Sequence, residues 1–226
     1  MKSLEAAGYE VVKVKSPDIR DVLYYFNGIV LADQNQGMYQ YLSYDLYDSS
    51  LSGLVMAMSA YKLPGIVKKL LFNPLAGLLS RVSPIEKLFS KSEELWLGAQ
   101  QRDKFVRKYL ELLDAAGVDV IICPGQQLPA PPTGVLGTMM AGVLPYIPWN
   151  VMNFPAGIVP VSTWGPADDK EMETFPRDDI FYKMMSSYCE GAGGLPLCVQ
   201  VVGKPFKDEQ VLRVMSNIEQ LQKMEK

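Results

Sequence analysis

The sequence predicts an α/β fold: a mixed sheet covered by helices, carrying an apolar helical cap and forming an incomplete domain. Three observations predict it. Short apolar runs such as Val118-Asp-Val-Ile-Ile-Cys123 recur at wide intervals and end at Pro, Gly or polar residues, as strands buried on both faces do. Between them, apolar residues fall at helical spacing, most extensively from Ser92 to Ala116. Residues 51 to 79 are apolar with few charges. At 226 residues, 48% of them hydrophobic and 21% charged, the chain can bury a sizeable core, and nothing in its composition suggests disorder.

At the start, Leu4, Ala6 and Ala7 read as the tail of a helix that Gly8 stops. Val11, Val12 and Val14 then read as a short strand ending at Ser16-Pro17. A buried-type strand normally has a neighbour on each side, so the chain is expected to open in the middle of an architecture. No apolar stretch long enough for a secretory signal lies in residues 1 to 8. Ser16-Pro17-Asp18 supplies an N-cap with proline at the first helical position, and Ile19, Val22, Leu23, Phe26 and Val30 carry the helix to about Leu31. Residues 34 to 48 mix short helix with loop, and their tyrosines (39, 41, 44 and 47) are expected to pack rather than recognise a ligand.

From Leu51 to Leu79 the breaks at Pro64 and Pro74 leave pieces too short for the roughly 20 residues of a spanning helix. After Pro64, Ile66, Val67, Leu70 and Leu71 share one helical face, and Lys68 and Lys69 lie on the other side. This pattern has two readings: an amphipathic helix lying in a membrane interface, or the commoner pair of core helices.

A short helix follows Pro84, and then comes the longest one, with Leu95, Ala99, Phe105, Val106, Tyr109, Leu110, Leu112 and Leu113 inward and Gly117 as its stop. The strand from Val118 to Cys123 ends at Pro124-Gly125, and the Pro-rich loop 124 to 134 cannot pair in a sheet. Thr138 to Met152 is helical despite Pro145 and Pro148, with Met140, Val143 and Ile147 near one face. Ala156 to Val161 is a strand, and acidic residues 166 to 179 are expected to form a solvated loop, since the alternating ligands of a calcium loop are lacking. Ile180 to Cys189 is helical, Gly191-Ala-Gly-Gly194 a turn, Leu197 to Val202 a strand, and Lys207 to Lys223 an amphipathic closing helix.

Composition narrows the chemistry. A net charge of -3 without a basic stripe argues against nucleic acid as a partner. Cys123, Cys189 and Cys198 are odd in number and widely spaced, which fits free thiols in a reduced, cytoplasm-facing setting better than disulfides or a zinc site. The chain has no histidine, so a Ser-His-Asp or Cys-His pair is excluded. Serine activated by a desolvated lysine needs neighbouring glycines for an oxyanion hole. Neither Ser49-Ser50 nor Ser186-Ser187 has glycine beside it, and both are expected to be helix-cap or surface hydroxyls.

Two segments carry a resemblance. Asn150 to Val161, with its Asn-x-x-x-Phe-Pro-Ala-Gly core, and Gly194 to Phe206, with Gly-Leu-Pro-x-x-Val-Gln followed by Asp208-Glu209-x-x-Leu212, are similar to the two most recognisable C-terminal motifs of the amidase signature family. Within it, the apolar stretch 51 to 79, the Val118 to Pro124 strand and the Phe154-Pro155-Ala156-Gly157 wording resemble the fatty acid amide hydrolase branch. The resemblance covers the chain from Leu4 to Leu221 but only about the second half of that family's domain. It makes residues 1 to 226 the C-terminal portion of a single amidase domain, with 51 to 79 as its membrane cap.

The resemblance implies hydrolysis of long-chain fatty acid amides by a Ser-Ser-Lys triad, none of whose residues has a matching position here, and no cofactor or metal. What it carries over is a substrate channel. Met140, Val143 and Ile147 match acyl-tunnel positions, Phe181 matches an aromatic on the same wall, and Leu54 and Met58 fall in the cap. Implied partners are a fatty acid amide or other long-chain lipid and a membrane surface met peripherally or monotopically from the cytoplasmic side; strands with unpaired edges and apolar faces add a second copy, as homodimer, to the expected partners. Two functions follow: part of a lipid amidase whose activity belongs to the full-length protein, or a non-catalytic lipid-binding module that keeps pocket and cap.

Overall fold

A computed structural model describes residues 2–30, 32–33, 37, 40, 91–132 and 144–224. The expectations for most of 34–48, for the cap 51–79, for the helix after Pro84 and for 133–143 lie outside these residues. The chain divides into two compact units: residues 1–15, 110–132 and 139–226 form the first, 16–109 and 133–138 the second.

In the first unit three strands, β1 (Val120–Pro124), β2 (Ala156–Thr163) and β3 (Pro196–Gly203), pair antiparallel in the order β1-β3-β2. All three match runs read as strands, but β2 is not buried on both faces as expected: Ile158 is 51% exposed and Val159 is its one buried residue. β3 is the central one, with Cys123 opposite Gln200 on one side and Ile158 opposite Gln200 on the other. The strand expected at Val11 to Val14 is not formed: residues 9–18 carry no regular structure. Its composition favours a strand, but a strand exists only where a neighbour supplies hydrogen bonds.

One face of the sheet is packed. Helix α1 (Lys2–Ala6) contributes Leu4 and the closing helix, here labelled by its range Asp208–Met224, contributes Val211, Val214 and Ile218 to a core with Val159 and Val201. The alternation of strand side chains puts Val120, Ile122 and Val199 on this side too. Helix and sheet approach closely at Gly157, where an added Cβ would collide with the Met215 sulfur. Tyr9 accepts a hydrogen bond from the Asn217 side chain and ties the chain after α1 to the closing helix.

The second unit holds α2 (Ile19–Val30) and most of α3 (Ser92–Ala115), whose last residues enter the first. Helix α2 starts two residues later than its Pro17 signal suggests. Asp18 is the cap: its Oδ1 accepts the Arg20 N–H at 2.9 Å and its carbonyl the Val22 N–H. Rings of Tyr25 and Phe105 meet at 5.6 Å. Tyr109 and Leu113 of α3 are buried, whereas Leu112, read as inward, is 36% exposed. The helix stops where expected, with Gly117 at φ +65 and the Val118 N–H donating to the Leu113 carbonyl.

The remaining elements of the first unit are α4 (Ile147–Met152), α5 (Pro166–Glu173) and α6 (Ile180–Cys189), so the closing helix Asp208–Met224 is α7. Helix α5 corrects the expectation of a loop across 166–179. Gly165 caps it, Pro166 opens it, and Asp168 accepts the Gly165 N–H at 2.7 Å. A second small core joins Leu128 and Cys189 to Trp164, Met172, Met185 and Tyr188. The glycine turn after α6 is present, with Gly191 and Gly194 at positive φ.

Candidate functional site

Of the expected acyl-wall residues, Ile147 is described in full. Met140, Val143, Leu54 and Met58 lie outside the described residues, and Phe181 lies in α6, with its backbone alone described. Ile147 opens α4 and is 2% exposed, so its side chain is enclosed by protein.

The local sequence explains why. Pro148 at the start of the helix fixes the entry, and Asn153 ends it in the left-handed region at φ 56, a conformation that Asn tolerates better than most side chains. Six residues of helix between these stops turn Ile147, Trp149, Val151 and Met152 into one buried apolar knot. Trp149 stacks on Phe154 with ring centroids 6.3 Å apart, and the chain passes through Pro155 straight into β2. The Phe-Pro-Ala-Gly motif is therefore the hinge from a buried apolar turn to the sheet.

That turn lies by the sheet face away from α7. Cys123 alternates with Val120 and Ile122 and so points to this other side, where it meets the Trp149 side chain. Burial pushes the Cys123 thiol up from its ordinary value, and the neighbouring Trp149 side chain opposes that rise. A thiol so placed is a poor nucleophile at neutral pH. Gln200, the last residue of the Gly-Leu-Pro-x-x-Val-Gln motif, shares this face. It is 4% exposed, and its Oε1 has no hydrogen-bond partner among the described residues.

The expectation of helix-cap or surface hydroxyls holds for the exposed Ser187, whose Oγ donates to the Met184 carbonyl at 2.8 Å, but not for Ser186, which is buried within the helix at 6% exposure. Lys204 pairs with Asp114 at 2.5 Å. Among the described residues no three Cys, Asp or Glu side chains gather as metal ligands. Two features escaped the reading of the sequence. The contact of Cys123 with Trp149 joins residues far apart in the chain and leaves no local signal. Gln200 did leave one: a glutamine within the apolar run Leu197-Cys-Val-Gln-Val-Val202 must be buried or waste a buried position.

Known proteins place this arrangement. The Amidase family model matches residues 1–212. Fatty acid amide hydrolase 1 of Caenorhabditis elegans is 26% identical over 220 residues, covering 96% of this chain, and fatty-acid amide hydrolase 1 of Sus scrofa is 29% identical over 225 residues, covering 97%. The chain spans 38% of the length of each of these relatives. A solved fatty acid amide hydrolase superposes on 98% of the chain with a TM-score of 0.65 at 17% identity, covering 35% of that protein, which is a likeness of fold. The chain belongs to the amidase family.

Proposed function

We propose that this chain is the C-terminal part of an amidase that hydrolyses long-chain fatty acid amides, and that its share of the task is to hold the acyl chain. The nucleophilic serine, its neighbouring serine and the lysine base belong to the part of the domain that lies outside these 226 residues. What carries the reading is the breadth of the likeness to two fatty acid amide hydrolases, which runs nearly end to end through this chain. Met140, Val143, Ile147 and Phe181 line the acyl tunnel and Leu54 and Met58 its mouth in the cap. Each methylene they bury is worth about 0.8 kcal/mol, so an apolar wall supplies affinity while a distant polar centre supplies reaction. The cap 51–79 rests on a membrane surface facing the cytoplasm, which lets a lipid pass from bilayer to tunnel. No cofactor takes part.

A second reading, a lipid-binding module without catalysis, rests on the same inventory: no histidine, and no Ser-Ser pair beside glycine. One experiment separates the two. Purified residues 1–226 are expected neither to label with a fluorophosphonate serine probe nor to cleave a fatty acid amide above background, because removing an activated nucleophile removes most catalysis. Adding the complementary part of the C. elegans relative should restore turnover. Stoichiometric labelling of the chain alone would overturn the expected division of labour; lipid binding with no turnover in the mixture would leave the module reading.

A further inference from the structure

Gln200 sits on the central strand of the sheet, opposite Cys123 of β1 and Ile158 of β2. Its side chain lies on the face away from α7, is buried, and holds an Oε1 with no hydrogen-bond partner among the described residues. A buried acceptor in that state lowers stability and is rare in folded proteins. Neither neighbour across the sheet repairs the loss. Ile158 is apolar, and Cys123, whose thiol is a weak donor, meets Trp149. A methionine would fill the same space with no oxygen to satisfy.

Two observations point to where the missing donor comes from. The face that holds the amide is open beside it, since Ile158 is exposed although large and apolar. The chain also spans 38% of the length of its relatives, so most of an amidase of their size lies outside it. The position of the amide adds a third. Trp149, which meets Cys123 on this face, belongs to α4, and α4 begins with Ile147, the acyl-wall residue of the proposed function. A hydrogen bond made at Gln200 therefore lies one side chain, Cys123, from the turn that carries the wall.

We propose that Gln200 is a positioning residue for the amidase reaction: its Oε1 accepts a hydrogen bond from an N–H or O–H of the part of the domain outside this chain, and that bond sets the catalytic part against the Trp149 turn. Gln200 itself touches neither substrate nor reacting atoms. The proposal rests on reading the chain as part of a larger amidase. It gives a use to a polar atom that weakens this chain alone, because the acceptor is satisfied only on assembly.

The test mixes residues 1–226 with the complementary part of the C. elegans relative and compares the parent with Gln200→Met, which keeps the length and loses the oxygen, and Gln200→Glu, which keeps an acceptor oxygen. Alone, Gln200→Met is expected to melt at or above the parent's midpoint. In the mixture it should bind the complementary part about tenfold more weakly and, at saturation, turn over a fatty acid amide about tenfold more slowly with KM within about twofold. Gln200→Glu should recover most of both losses. A residue that only packs would lose stability in the chain alone and gain nothing from glutamate. A methionine complex as tight or as fast as the parent's, or a glutamate variant no better than methionine, would overturn the role of Gln200 and leave the amidase reading standing. An earlier melt of Gln200→Met alone would show that the oxygen is already satisfied without the other part, and would overturn it too. Absence of turnover in the parent mixture would sink both readings.

Discussion

Gln200 lies between Cys123 and Ile158 at the centre of the sheet, with a side-chain oxygen that no described group satisfies. A buried acceptor left alone costs about 1–3 kcal/mol, far more than a satisfied hydrogen bond contributes. Gln200→Met keeps the length and removes the polar atoms. In residues 1–226 it is expected to leave stability unchanged or raise it by about 1 kcal/mol, read as the urea midpoint at constant slope. A loss above about 2 kcal/mol would mean that the oxygen has a partner. The contrast with Cys123 is instructive: its thiol meets the Trp149 side chain and tolerates burial by staying protonated, a route closed to an amide. The identity of Gln200 was legible in the sequence as the odd residue of an apolar run. Its lack of a partner was not, because satisfaction depends on what crosses the sheet, not on what precedes it in the chain.

At the scale of elements, the strands at Val120–Pro124, Ala156–Thr163 and Pro196–Gly203 were legible because each is an apolar run bounded by Pro or Gly. Helix α5 is less legible, because the acidic composition of 166–179 masks its start signal: Gly165, Pro166 and, three residues after the cap, Asp168. That signal makes a prediction. Asp168→Ala removes the acceptor of the Gly165 N–H and a negative charge from the first turn, and should cost about 1 kcal/mol, with Asp168→Asn recovering most of it. Equal thermal midpoints for parent and Asp168→Ala would show that the packing of Met172 and the Trp164 hydrogen bond to Asp169 suffice to hold α5. The short buried helix α4 reads in the sequence as the end of a longer helix from Thr138, since its own C-terminal limit depends on Asn153 entering the left-handed region. The resemblance assigns Ile147 to a wall, while the burial of its side chain emerges only from the fold.

At the scale of the whole molecule, the question is how a chain of net charge -3 would hold to a membrane. Among the described residues no helix is long and apolar enough to cross one. Overall charge repels anionic lipid, so attachment would have to come from the apolar face of residues 51–79, reinforced locally by Lys68 and Lys69. Ile66 and Leu70, four residues apart, share that face if the segment is helical. Burying each in the interface is worth about 1.5–3 kcal/mol, so changing both to Glu should lower the partition coefficient by more than about a hundredfold. Residues 1–226 are expected to float with liposomes of neutral as well as anionic composition, and the Ile66→Glu, Leu70→Glu variant to stay in the soluble fraction with unchanged far-UV circular dichroism. Flotation on anionic liposomes alone, abolished by salt and indifferent to the double change, would assign the attraction to the lysine pair. Retention of both forms in the soluble fraction would return 51–79 to the reading of an ordinary core helix pair, because a segment whose apolar face is already covered has none left to offer a bilayer.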